Sequence, residues 1–185
     1  CSRAQAAYVY PGYSNYKVGD DVQMAGNDAP VSGERLNLSL AATVPYSVEG
    51  IPMIDRTLLS DGKLGLIFGG TRFCHYLGVE PTGNYEKIVA KEGSTSFEDM
   101  KKTPYLHVVN FSDFQMDEMS GNFGGEIRLA YLFDGEKVTP VTGGSINGAI
   151  TKAHKTFIFS KEMQESMDFV GPLAVSMEDV AVAGC

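Results

Sequence analysis

Residues 126–141 read EIRLAYLFDGEKVTPV, and this stretch places the dipeptide Asp134-Gly135 between two apolar runs. Asp-Gly between apolar runs is a strong signal for a β-hairpin, because a type I′ turn needs a positive φ at both of its central residues. The same device occurs earlier, where Asp61-Gly62 separates residues 51–60 from residues 63–68. The sequence therefore predicts two hairpins of similar layout.

Further strands are predicted before and after these hairpins. From Glu34 onward, Leu36, Leu38 and Leu40 alternate with polar residues, which is typical of a half-buried strand. A last strand is predicted within residues 173–182. These patterns indicate a strand-rich fold.

Helices are predicted to be few and short. Residues 71–77 are expected to form two helical turns that end at Gly78. Thr95 and Glu98 fit a capping box at the start of a second short helix. A longer helix is predicted from Asn147 to about Phe159, because apolar residues there follow a helical period. The predicted fold class is α+β and strand-rich, with a mostly antiparallel or barrel-like sheet, in a single domain spanning residues 1–185.

Charge and composition exclude some function classes. The 185 residues include 15 Lys and Arg against 23 Asp and Glu, a formal net charge of −8, which disfavours direct nucleic-acid binding. No apolar run approaches the roughly 20 residues that a membrane span needs, so no membrane insertion is expected. Three scattered cysteines do not form a disulfide framework, and a reducing, cytoplasmic location is the simpler interpretation. The first 33 residues are irregular, with tyrosines at positions 8, 10, 13 and 16.

Local motifs do not reveal a reaction. The three histidines are not spaced as a metal-binding pair on a helix. Asp113, Asp117 and Glu118 lack the ligand spacing of a calcium loop and are interpreted as a solvated loop. Gly69-Gly70 and Gly143-Gly144 are interpreted as turns that need positive φ.

A series of Gly-rich segments, taken in order, carries more information. The segments are Val48–Pro52, Gly69–Arg72, Leu77–Gly78, Thr82–Asn84, Ser120–Phe123, Lys137–Val141, Gly144–Gly148 and Val182–Gly184. This order resembles the C-terminal domain of the TldD/PmbA family, described as metallopeptidases and earlier as modulators of DNA gyrase. The resemblance implies that the chain is the C-terminal portion of a longer protein.

The resemblance places the catalytic HExxxH helix before this domain, outside the sequence. Active members take a further metal ligand from a Cys shortly before the final strand, but residues 163–172 contain no Cys. Zinc is therefore expected only in the full-length protein or its partner, and no ligand is assigned in this chain. Two versions stay open, a zinc peptidase with an unusual third ligand and a metal-free partner subunit.

The resemblance also implies a peptide substrate and a homodimer, or a heterodimer with a paralogue. Asn122 and Phe123, leading into the strand at 126–133, are expected to form part of the peptide-binding wall. Arg72 and Asn84 are expected to be polar groups near it. The alternative function is a non-enzymatic binding module, anchored as a lipoprotein through Cys1 with the tyrosine-rich start as its contact surface.

Overall fold

The structure is a computed structural model that describes residues 16–24, 30–117 and 120–184. The tyrosines at positions 8, 10 and 13, Glu118 and the terminal cysteines lie outside the described residues. The elements, in chain order, are strands β1 (Leu38–Ala41), β2 (Arg56–Ser60) and β3 (Lys63–Leu64), helix α1 (Thr71–Leu77), strand β4 (Lys87–Ala90), helix α2 (Phe97–Met100), strands β5 (Tyr105–Met116), β6 (Asn122–Phe133), β7 (Val138–Val141) and β8 (Ser145–Ala149), helix α3 (Ile150–Ala153), a 3₁₀ turn (His154–Thr156), and strands β9 (Ile158–Phe159), β10 (Met163–Glu165), β11 (Phe169–Pro172), β12 (Val175–Ser176) and β13 (Ala181–Ala183).

The described residues form two compact units. The first takes residues 16–24, 35–92 and 163–172, and the second takes 30–34, 93–117, 120–162 and 173–184. Each unit has its own sheet or sheets. The strand-rich α+β class is confirmed, whereas the single-domain organisation stays a prediction.

A six-stranded sheet forms the first unit, in the order β10-β11-β4-β1-β2-β3. Its strand pairs are antiparallel except for β11 and β4, which run parallel. Strand β1 lies between β2 and β4 and buries Leu40, which is 1% exposed. The predicted strand of alternating leucines is thus confirmed, although it begins at Leu38.

Both predicted hairpins form, but their turns differ. Between β2 and β3, Asp61 has φ 51 and Gly62 has φ 74, as a two-residue type I′ turn requires. Strands β6 and β7 pair from Phe133 and Val138 outward, which leaves a four-residue loop. In this loop the carboxylate of Asp134 accepts hydrogen bonds from two backbone N–H groups further along the loop. The prediction of a similar layout is therefore wrong for the second turn.

A five-stranded sheet dominates the second unit. Strand β6 pairs with β5 along one edge, and its other edge holds β8 along its first half and β7 along its second half. Strand β13 adds to β8, whereas β9 and β12 form a separate pair. Strand β6 is therefore the central strand of this sheet.

The helix predictions are confirmed in part. Helix α1 ends at Gly78, which has φ 67, as expected. The cap of α2 is Ser96, whose hydroxyl accepts a hydrogen bond from the N–H of Asp99, so the predicted cap at Thr95 is wrong by one residue. Gly143 and Gly144 have the predicted positive φ (80 and 76).

The long helix predicted from Asn147 to Phe159 is wrong. Residues 147–149 belong to β8, and only Ile150–Ala153 is α-helical. The helical spacing of apolar residues is real, but pairing of β8 with both β6 and β13 satisfies its backbone as a strand. The strand predicted at 173–182 is likewise split into β12 and β13, and Asp179 between them has φ 58.

Two glycines of the second unit make room for aromatic rings. A Cβ at Gly125 would lie 2.7 Å from Cδ1 of Phe111, and a Cβ at Gly148 would lie 2.7 Å from Cζ of Phe123. At Gly124 the nearest atom to such a Cβ is the carbonyl oxygen of Ile146, at an ordinary 3.6 Å. Packing therefore requires glycine at 125 and 148, but it does not require glycine at 124.

Glu34 connects three segments of the second unit. Its Oε1 accepts hydrogen bonds from the N–H and the hydroxyl of Ser94 at 2.8 and 2.7 Å, and its Oε2 accepts one from the N–H of Phe159 at 2.6 Å. Burial acts to raise the pKa of Glu34, but these hydrogen bonds to the charged carboxylate lower the pKa overall. The ionised carboxylate therefore stabilises the fold.

Gly125→Ala is expected to lower the free energy of unfolding by about 1–3 kcal/mol, because the added methyl overpacks the Phe111 and Phe114 rings. The measurement is urea unfolding of the full chain. Gly124→Ala is the matched control and is expected to stay within about 0.5 kcal/mol of the wild type or to be slightly more stable. Equal losses for the two variants would contradict this packing.

Glu34→Gln is expected to destabilise the full chain at pH 7 by about 1–3 kcal/mol, because the charged acceptor is lost. The pKa of Glu34 lies below its usual 4.5 in the fold, so its contribution is present above pH 4.5 and is lost as the pH falls through the lowered pKa. Urea unfolding at pH 7 and pH 3 should show the gap narrowing at pH 3. A gap of equal size at both pH values would contradict this assignment.

Candidate functional site

Arg72 and Asn84, two of the four residues predicted to contact a peptide, lie in the first unit. Arg72 is exposed on α1, and its guanidinium lies 5.5 Å from the centre of the Phe73 ring. It lines a groove of about 640 Å³ together with His75 and Tyr76. Asn84 is exposed and is not among the residues that line this groove.

Asn122 and Phe123, the other two predicted residues, are consecutive in β6 and therefore point to opposite faces of the sheet. Asn122 is exposed, whereas Phe123 is only 8% exposed. The ring of Phe123 stacks on Phe114, with centroids 6.1 Å apart, and covers Gly148. The structure thus gives Phe123 a packing role, and contact of either residue with a ligand stays a prediction.

A groove of about 610 Å³ lies where β5, β6 and β8 run side by side. The strand register arranges its residues in two rows that cross the strands. One row consists of Gln115, Gly124 and Asn147, and the next consists of Asp113, Glu126 and Ser145. Asn122, Met116 and Asp117 also line this groove, which we call the polar groove.

The polar groove carries negative charge. Its lining includes Asp113, Asp117 and Glu126, and it includes no Lys, Arg or His among the described residues. Asp113 and Glu126 are direct cross-strand partners. Asp113 accepts a hydrogen bond from the side-chain amide of Gln115 at 3.2 Å, and Glu126 accepts one from the hydroxyl of Ser112 at 3.1 Å. In the described part of the chain, neither of these two carboxylates forms an ion pair.

Strand β5 forms one border of the polar groove and one edge of its sheet. Within the described ranges β5 pairs only with β6, so its other edge has no strand partner there. The β5–β6 register shifts repeatedly between Val108 and Asp113, but it is regular from Asp113 to Met116. The register is also regular from Tyr105 to Val108, so two regular stretches flank the bulges, and residues 113–116 form the stretch beside the groove.

A smaller groove of about 360 Å³ shares Asn122, Phe123 and Asn147 with the polar groove. It extends toward β13 and includes Lys152 and Asp179, one side chain of each charge. The acidic character is thus concentrated at the β5 end.

The described residues do not supply a metal site. No cluster of three or more His, Cys, Asp or Glu side chains in this part of the chain could hold a metal ion. Cys74 is buried in α1, where burial and the nearby charge of Glu49 raise the pKa of its thiol. His107 packs edge-on against Phe97 with ring centroids 5.3 Å apart, and burial together with the charge of Lys101 lowers its pKa.

The start of α1 is occupied by a carboxylate of the first unit. Glu49 Oε2 accepts a hydrogen bond from the N–H of Thr71 at 2.9 Å. Gly70 is the N-cap with φ −74, and Gly69 does not have a positive φ either, so the predicted positive φ is wrong at both glycines. Across the described ranges, no helix is both long and apolar enough to cross a lipid bilayer.

Residues 23–184 match the family described as the PmbA/TldA metallopeptidase C-terminal domain. The chain belongs to this family. The resemblance carried by the ordered Gly-rich segments is therefore confirmed. No match was found among curated protein sequences.

Three solved structures have a similar fold. A proposed modulator of a DNA gyrase from Thermotoga maritima has 18% identity and a TM-score of 0.74, over 97% of this chain and 44% of its own. TldE from Thermococcus kodakarensis has 16% identity and a TM-score of 0.73, over 91% of this chain and 42% of its own. A proposed modulator of DNA gyrase from Bacteroides thetaiotaomicron has 17% identity and a TM-score of 0.71, over 100% of this chain and 46% of its own. The chain thus spans less than half the length of each, and these identities establish the shared fold.

The sequence prediction found one polar residue of the groove as a binding candidate, Asn122, and missed Gln115 and Asn147. Asp113 was considered only as part of a solvated loop. The missing information was strand register, because Gln115 and Asn147 are separated in sequence and meet only across Gly124. The available signal was Gly124 itself, a strand-interior glycine, which often marks close approach of another group.

Phe123→Ala is expected to lower the free energy of unfolding by about 3–5 kcal/mol, because it leaves a cavity over Gly148 and beside Phe114. Urea unfolding of the full chain measures this loss. Met116→Ala, at a neighbouring residue that is 46% exposed, is the control and is expected to cost less than about 1 kcal/mol. Wild-type stability of the Phe123 variant would show that the ring is not part of the core.

Proposed function

We propose that this domain belongs to a TldD/PmbA-like metallopeptidase or to its non-catalytic partner subunit, and forms part of a cleft for unfolded peptides. The cleft serves proteolysis or peptide maturation. Membership of the metallopeptidase C-terminal domain family supports this assignment. The role in the cleft rests on the second unit, and above all on β5.

The position of β5 is the observation that carries the proposal. Among the described residues β5 is an edge strand of 12 residues, and it borders the polar groove. An extended peptide can add to such an edge through main-chain hydrogen bonds, which tolerate many different side chains. An unfolded polypeptide offers an extended backbone at many positions, so an open edge suits this class of substrate.

The irregular middle of β5 limits where a peptide can pair. Bulges such as those between Val108 and Asp113 twist an edge strand away from unwanted pairing. Residues 113–116 keep a regular register with residues 123–126 of β6. Residues 105–108 are also regular, but residues 113–116 are the regular stretch beside the polar groove, and we assign the peptide to them.

Bond cleavage is assigned to residues outside this chain. The described residues do not fit a zinc site, and residues 163–172 form the β10–β11 hairpin without a Cys or His. Any zinc belongs to another part of the full-length protein or to its partner. The assembly is a homodimer or a heterodimer with a paralogue, and the net charge of −8 argues against direct contact with nucleic acid.

Hydrogen–deuterium exchange of the full-length protein tests the role of β5. Adding an unfolded peptide is expected to slow amide exchange in residues 113–116, because the free edge becomes hydrogen-bonded. The β10–β11 hairpin, residues 163–172, is the internal control and should exchange at an unchanged rate. Peptide cleavage without any new protection at 113–116 would overturn the assignment of β5 as the peptide-binding edge.

Two measurements distinguish a catalytic zinc peptidase from a metal-free partner subunit. They are the zinc content and the peptide cleavage of the full-length protein, alone and mixed with a paralogue. Bound zinc with cleavage by the isolated protein identifies a catalytic subunit. A zinc-free protein that raises the cleavage rate of a zinc-containing paralogue identifies a partner subunit. Absence of cleavage and of stimulation would contradict both.

A further inference from the structure

Three features of the polar groove are not explained by folding alone. Gly124 lies at its centre, where neither packing nor a positive φ requires glycine. Of the four glycines inside described strands, the other three would each place a Cβ within 3 Å of an aromatic ring. A strand position without a side chain lets another molecule approach the sheet closely.

The second feature is the Asp113–Glu126 pair. Like charges directly opposite each other in adjacent strands destabilise a sheet. Neither carboxylate has an ion-pair partner among the described residues, and only neutral donors bond to them. A cationic group bound between them would remove this repulsion.

The third feature is a set of amides on the same side of the sheet. The side chains of Asn122 and Asn147 are exposed and make no hydrogen bond within the described ranges. Each can both donate and accept, as peptide groups and polar side chains require.

We infer that the polar groove is a specificity pocket for a lysine or arginine side chain of the bound peptide. The ammonium or guanidinium group of that side chain lies between Asp113 and Glu126. This inference rests on the proposed function, because the peptide is the strand that adds beside β5. It names the side chain that this site prefers.

The geometry of an added strand supports this occupant. Neighbouring strands lie about 4.8 Å apart, so a residue of the added strand opposite Asp113 lies about 5 Å from β5 and about 10 Å from β6. Every second side chain of that strand faces the groove. A long cationic side chain can therefore lean across Asp113 toward Glu126 while the peptide backbone stays paired with β5.

Binding of matched unfolded peptides to the full-length protein tests the inference. The peptides carry either Lys or Gln at alternating positions and are otherwise identical, and fluorescence anisotropy gives their affinities at low salt. The Lys peptide is expected to bind about fivefold more tightly, the gain of two partly exposed ion pairs. The double variant Asp113→Asn with Glu126→Gln is expected to abolish this preference, so that the Lys and Gln peptides bind it with equal affinity.

A charge-matched control separates the groove from net charge. Glu136→Gln with Glu178→Gln removes two exposed carboxylates of the second unit that do not line the groove. This variant is expected to keep the fivefold preference. An equal loss of preference in both double variants, or none in the groove variant, would overturn the inference.

Two further outcomes are distinguishable. If both peptides protect residues 113–116 from exchange but bind equally well, the assignment of β5 as the peptide-binding edge is supported. The inference of a lysine or arginine pocket is then wrong. If neither peptide binds, the proposed function fails as well. Calorimetric binding of Ca²⁺ or Mg²⁺ by the wild type, absent in the groove variant, would identify a divalent-cation site and overturn the inference.

Discussion

The ring of Phe123 lies over Gly148 on the neighbouring strand, in the space that any side chain at 148 would need. This contact holds β8 against the first half of β6. Because strand register is fixed along the whole pairing, it also places Asn147 opposite Gly124 and Ser145 opposite Glu126. Strand β5 completes the arrangement from the other edge of β6. The contact between Phe123 and Gly148 is thus part of the β6–β8 register, and both rows of the polar groove depend on that register.

The strand-rich class could be predicted because turn chemistry is local. Asp61 and Gly62 determine a type I′ turn almost by themselves, and Gly78 ends α1 in the same way. The segment 147–159 could not be predicted, because its apolar spacing fits a helix while its backbone partners lie on β6 and β13. Similarly, the loop after β6 has four residues because Asp134 caps its own loop. In these two segments, nonlocal strand pairing and side-chain hydrogen bonds determined the structure, and the local sequence pattern did not.

The site was less predictable than the fold. Asn122 stands in a recognisable Gly-rich segment, but Asp113, Glu126 and Asn147 acquire their meaning only from register. A face of a sheet has a two-residue period along each strand and no sequence period across strands. Phe123, grouped with Asn122 by its position in the sequence, points to the opposite face and packs in the interior. Of these two adjacent residues, Asn122 therefore lies on the face of the polar groove and Phe123 lies in the core.

The two faces of β6 have opposite requirements. On the Phe123 side, Gly125 and Gly148 are small because rings from the same unit occupy the space. On the Asn122 side, Gly124 is small and the space above it belongs to the polar groove. A chain under selection for stability alone gains by replacing a strand glycine that neither packing nor a positive φ requires, and by separating two carboxylates that face each other. Both unfavourable choices occur within one groove, beside a regular stretch of an edge strand. Their coincidence points to a bound partner that supplies the missing contacts and the missing positive charge.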